Sequence, residues 1–257
     1  MNKKIIFTTI KYMSNTKNIN LFQTVEFLHS EAKNQGIKFS SEGYPILHDF
    51  SFKKIIPGSI EMLPYSKRHQ ATKPSETILV FFENDQLLYG YLNNLSKVTN
   101  ELRGYYATCG FDISPCLNDP LEQQQMALLI NILVNTHFLH SGIPVIPTLR
   151  TGDVQTFNVL RAYPTNIVFS LGSIGCSQIN MNRGTINLTT KIYLTEPSEI
   201  ISYGSLPNKY LSALETQNIP VKQFLDYRSK SFSRTCKKRL NAIPSKILSG
   251  NQPRYFS

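Results

Sequence analysis

The sequence predicts an α/β fold of parallel strand–helix repeats. A TIM-barrel-like array, complete or incomplete, is expected ahead of an open doubly wound sheet. Two observations carry this. Seven short apolar, β-rich runs recur along the chain, and helix-patterned segments separate most of them. The runs are continuously apolar rather than alternating, which suits strands buried on both faces. A chain of 257 residues that is 41% hydrophobic is long enough to build such a core.

Three segments are expected: an N-terminal helical or irregular arm over 1–59, an α/β core over 60–227, and a basic tail over 228–257. In the arm, apolar residues at 19, 21, 22, 25, 27 and 28 suit a short amphipathic helix that Gly36 stops. The core opens with a strand at 60–65, and the polar run 66–76 reads as a loop. TILVFF (77–82) is the second strand. Leu88, Leu92, Leu95, Val98 and Leu102 then recur at helical spacing, with Asp85 placed as N-cap and Gly104 as the stop.

YYATCGF (105–111) is the third strand and ends at Asp112. Asp119, Pro120 and Glu122 then form the best helix start in the chain: a capping carboxylate, a proline in the first turn and an acidic residue behind it. The helix runs to about Ser141, before Gly142. PVIPTL (144–149) is the fourth strand, and Asp153 caps a short helix over 154–162. Strands at 166–175, 199–204 and 221–227 follow, with a helix over 208–217.

Several classes are excluded. The longest apolar run, MALLINILV (126–134), is interrupted by Asn131 and falls far below the ~20 residues of a membrane span. The opening MNKKIIFTTIK lacks the features of a secretory signal. Four cysteines with no Cys-x-x-Cys pair suggest reduced thiols and a cytoplasmic setting. No phosphate-binding P-loop, dinucleotide fingerprint, nucleophile elbow or His-x-His pair occurs.

The charge is uneven. The net charge is +10, and residues 228–257 carry eight of those charges with no Asp or Glu. Arg228, Lys230, Arg234, Lys237, Lys238 and Arg239 are the nucleic-acid-binding candidates within it. Tyr227, Phe232, Tyr255 and Phe256 flank or interleave with them and suit stacking on single strands. Another polyanion would meet the same charge.

Ligands meet parallel sheets at the carboxyl ends of the strands. The polar residues there are Glu83, Asn84, Asp85, Asp112, Ser114, Arg150, Asp153, Ser173 and Tyr203. Asp85, Asp112, Arg150 and Tyr203 are the catalytic candidates. The two aspartates suit general acid–base work or a divalent cation, and no other cofactor is expected. Arg150 suits a phosphate or carboxylate as a two-pronged donor.

FFEND (81–85), GFDIS (110–114), DPLEQQ (119–124), SGIPVIPT (141–148), SLGSIGC (170–176) and ISYG (201–204) occur in that order. Together, over roughly 60–227, they resemble family 4417 of domains of unknown function, found in phages, prophages and other mobile elements. Asn84–Asp85 stand at the acidic end of the family's first strand, and Asp112, Ser114 and Gln124 match its pattern. The chain departs from it at Ala127, Ile130 and Ile132, where an Asn and basic residues are usual, and at Thr151, where an aromatic is usual. The resemblance implies a mobile-element setting and supplies no reaction. The leading expectation is a phage-type protein that binds nucleic acid. The alternatives are a barrel-type hydrolase or transferase on a phosphate- or sugar-containing substrate, and a non-catalytic protein that binds a host protein.

Overall fold

A computed structural model describes residues 21–172 and 181–230. Seven parallel strands lie among them: β1 (Glu61–Pro64), β2 (Thr77–Val80), β3 (Ala107–Cys109), β4 (Val145–Ile146), β5 (Val168–Gly172), β6 (Glu199–Tyr203) and β7 (Val221–Phe224). Each falls in one of the seven apolar runs. β1 to β4 pair in sequence order as one sheet, and β5 to β7 pair in sequence order as another.

The two sheets meet at Pro147. This residue has no N–H to give, and β4 stops pairing with β3 just before it. Its carbonyl accepts instead from Ser170 N at 2.8 Å, and Leu149 N donates to Ser170 O at 3.0 Å. A parallel bridge, Thr148 to Ser170, results. Among the described residues the strand order therefore does not reverse, and no switch point of a doubly wound sheet occurs. No pairing between β7 and β1 closes the sheets among the described residues.

Side chains alternate between two cores, as the strand period of two requires. Leu63, Leu79, Phe81, Val145, Phe169 and Ile200 face the helices. Met62, Ile78, Val80, Cys109, Ile146 and Ile201 share a second, helix-free cluster. All twelve are at most 5% exposed, so the strands they belong to are covered on both faces, whereas β7 is only partly buried. Burial pushes the Cys109 thiol up to about 12, which keeps it neutral and unreactive.

The helices are α1 (Leu21–Asn34), α2 (Asp85–Leu92), α3 (Leu95–Leu102), α4 (Leu121–His140), α5 (Met181–Thr195) and α6 (Asn208–Thr216). α1 packs against α4, where His137 Nδ1 lies 3.2 Å from Glu31 Oε2. The expected single helix after β2 is two, because Asn93 and Asn94 interrupt it. The run 66–76, read as a loop, holds short 3-10 helices at Tyr65–Gln70 and Pro74–Glu76. The helix expected over 154–162 is also of the 3-10 kind.

α4 is the central element. Its residues are buried almost continuously from Gln124 to Leu139, on all sides. Three of those buried residues, Gln124, Asn131 and Asn135, are polar amides. Among the described residues, no helix is long and apolar enough to cross a membrane.

Candidate functional site

The three amides of α4 build the site. Asn135 Oδ1 accepts from Phe111 N at 2.8 Å, and its Nδ2 donates to the Tyr163 hydroxyl. One turn earlier, Asn131 Oδ1 accepts from Ile113 N at 2.8 Å and Nδ2 donates to Ile113 O at 2.9 Å. Together they replace the strand ladder that β3 loses after Cys109. Gly110 is required there, since a Cβ would stand 2.7 Å from Asn135 Nδ2. The segment Phe111–Ile113 is thereby tied to α4, with Asp112 between two amide anchors.

Gln124 does the same for the turn after β4. Its Oε1 accepts from Asp153 N at 2.7 Å, and its Nε2 donates to Asp119 O and Asp153 Oδ2. Gly152 leaves the room, because a Cβ would come within 2.0 Å of Gln124 Oε1. Asp153 therefore makes no side-chain cap to the helix it precedes.

These anchors bring Asp112 and Arg150 face to face. Arg150 Nε donates to Asp112 Oδ1 at 2.8 Å and Nη2 donates to Oδ2, a two-pronged pair. Asp112 is 2% exposed. Burial pushes its carboxyl above the usual carboxylate range, and the Arg150 guanidinium opposes that push. Asp85 sits beside the pair. Its carboxylate accepts from Ser114 N at 3.2 Å and Ser114 Oγ at 3.3 Å. Burial raises it as well, the Ser114 hydrogen bonds pull it back, and the Asp112 charge adds to the rise. The N-cap of α2 is Asn84, whose side chain accepts from Gln86 N, and not Asp85 as expected.

A cleft of about 500 Å³ opens over these strand ends. Asn84, Asp112, Ser114, Arg150, Tyr203 and Arg228 line it. Lys67, Phe82, Glu83, Asp226 and Tyr227 are also among its lining residues. Asp85 is tied to the cleft through Ser114. Tyr203 is 2% exposed, stacks on Phe82, and accepts from Tyr227 N at 2.8 Å through its hydroxyl. Burial raises that hydroxyl to about 12. Of the basic candidates, Arg228 lies on the cleft, whereas Lys230 Nζ donates to Met62 O at 3.0 Å on β1. Arg234, Lys237, Lys238 and Arg239 lie outside the described residues, as does Ser173.

The divalent cation expected at Asp85 and Asp112 would have to share Asp112 with Arg150. Asp112 commits both oxygens to Arg150, and no three His, Cys, Asp or Glu side chains converge among the described residues. Sequence reasoning missed Asn131 and Asn135. Their signal was present: two amides one helical turn apart inside an apolar run have no reason to be there unless each finds a partner.

A family model, Domain of unknown function (DUF4417), matches residues 41–227. The chain belongs to this family. The match takes in every site residue named above except Arg228 and begins earlier than the motifs alone indicate. It ends one residue before the basic segment, so Arg228 and the charges after it stand outside the family's common part. No curated protein and no solved structure matches the chain.

Proposed function

We propose that this protein binds single-stranded nucleic acid across the strand-end cleft, with the basic segment from Arg228 onward holding the phosphates. The observation that carries the reading is the position of Arg228. It opens a segment of eight positive charges and lines the same cleft as Arg150, Asp112 and Tyr203. Lys67 adds a further cation in that cleft, 5.6 Å from the ring centroid of Tyr227. The aromatic residues Phe82 and Tyr227 on the cleft wall favour unpaired bases, which are free to stack. A phage or mobile-element setting, in the cytoplasm, fits such a partner.

In this reading the core is an incomplete barrel. Two features support it. The strands follow one another without reversal, and six of them contribute buried side chains to one helix-free cluster. A flat sheet of that order leaves one face uncovered, while curling the sheet buries that face against itself.

The test is fluorescence anisotropy of the full chain with labelled single- and double-stranded oligonucleotides over a salt series. Single strands should bind more tightly. With four to six phosphates contacted, log affinity should fall against log salt with a slope of about −3 to −5. Changing Lys237, Lys238 and Arg239 together to Ala should flatten it by about two units. No binding at low salt, or a slope unmoved by the triple change, refutes the proposal. Cleavage or transfer products in the same mixtures favour a second reading, a hydrolase or transferase, for which the raised carboxyl of Asp85 beside Ser114 is the supporting observation.

A further inference from the structure

The chain after β7 turns back over the strand ends, and one hydroxyl holds it there. The β6–β7 pairing ends where Gly204 N donates to Phe224 O at 2.7 Å. Beyond it the backbone leaves the sheet, and Tyr227 N donates to the Tyr203 hydroxyl at 2.8 Å. Asp226 opens a single helical turn. Its carboxylate accepts from Ser229 N at 2.9 Å and from Ser229 Oγ at 2.7 Å, and its carbonyl accepts from Lys230 N at 3.0 Å. Arg228 stands inside this turn.

The far side of the turn is pinned as well. The Tyr227 hydroxyl donates to Gln70 Oε1 at 3.2 Å, and Lys230 Nζ reaches Met62 O on β1. Residues 226–230 therefore bridge from β6 to β1, across the gap that no backbone pairing closes among the described residues. Arg228 is exposed and lines the cleft. An arginine on a loose chain loses backbone and rotamer freedom when it meets a phosphate. On a fixed turn the backbone part of that loss is already made.

Tyr203 differs from the other residues of the cleft. It is 2% exposed, so it offers a ligand almost no surface. Burial pushes its hydroxyl up to about 12, so it stays protonated at neutral pH and is no general base. What it does in the fold is accept from the N–H of the residue just before Arg228. Tyr203 and Tyr227 both fall within the family match, and Arg228 falls just outside it.

We propose that Tyr203 is a positioning residue for the basic segment: through Tyr227 N it sets the turn that aims Arg228 into the cleft, where Arg228 makes the first phosphate contact of that segment. This rests on the nucleic-acid reading and deepens it, because binding in the cleft then depends on a hydroxyl that itself touches no nucleic acid.

The experiment is anisotropy with a labelled thymidine oligonucleotide over a salt series, on the full chain as wild type, Tyr203→Phe, Arg228→Ala and the double variant. Phenylalanine keeps the ring on Phe82 and removes the hydroxyl, so thermal unfolding should stay within about 5 °C of wild type, the scale of one lost hydrogen bond. Arg228→Ala should weaken binding by about 3- to 10-fold at low salt and flatten the slope by about 0.7, the share of one phosphate on a single strand. Tyr203→Phe, which removes no charge, should also weaken binding and flatten the slope, and should add nothing once Arg228 is Ala. Additive losses in the double variant overturn the proposal and leave the nucleic-acid reading standing. So does wild-type affinity in either single variant. If wild type does not bind at low salt, both fall. If Tyr203→Phe does not fold, amide exchange decides. Coupling is reciprocal, so saturating oligonucleotide should slow exchange at Tyr227 N in wild type and not in Arg228→Ala. Exchange there that the oligonucleotide leaves unmoved, or slows equally in both proteins, overturns the proposal.

Discussion

Replacing Arg150 with Met is expected to destabilise the protein by about 3–5 kcal/mol at neutral pH. Met fills much of the same volume, so the loss comes from charge. It leaves the Asp112 carboxylate, 2% exposed, with no counter-charge across the pair. The loss must also depend on pH, and the sign follows from linkage. Burial already holds the folded-state carboxyl above its unfolded value, and removing Arg150 raises it further. A carboxyl raised in the folded state favours folding while protonated, and that contribution is lost as pH rises through the folded-state value. The gap between variant and wild type should therefore be small in acid and widen toward neutrality. Chemical denaturation at several pH values measures it. Adding Asp112→Asn to Arg150→Met should recover most of the loss, since no buried charge then remains. A double variant no more stable than the single one contradicts the account.

Asn131→Leu is expected to cost about 2–6 kcal/mol. Leucine fits the apolar run but leaves Ile113 N and Ile113 O without their partners in the buried interior. Each unpaired buried group costs about 1–3 kcal/mol. The change should also loosen the Phe111–Ser114 segment, so amide exchange at Ile113 and Ser114 should quicken more than exchange within α4. A leucine variant as stable as wild type would show that the segment needs no anchor. A uniform speeding across α4 and the strands would place the damage in the core and not in the site.

The same contrast explains what was legible in the sequence. β2 to β6 fall where apolar runs stand, because burial on both faces writes itself as such a run, whereas β7, with Lys222 and Gln223, is only partly buried. Their lengths were not legible. The run 105–111 pairs only over Ala107–Cys109, since beyond Gly110 the backbone bonds to amides of α4, a tertiary choice that periodicity does not carry. The run 144–149 changes partner at Pro147. Asp85 looked like a cap and is instead an acceptor for Ser114, 29 positions away, while Asn84 takes the cap. Asp112 and Arg150 were both readable as residues at strand ends, and their convergence on one cleft follows from parallel topology. That they neutralise each other was not readable, because it depends on the turns that Gln124 and Asn131 set.

The central claim is that a strand of nucleic acid crosses the cleft and does not merely adhere to the basic segment. Photo-crosslinking tests it most directly, using a 4-thiothymidine oligonucleotide on the full chain and peptide mapping by mass spectrometry. The account predicts crosslinks at the cleft wall, to Phe82 and Tyr227, in addition to any in the basic segment. Crosslinks confined to residues after Lys230 would contradict it.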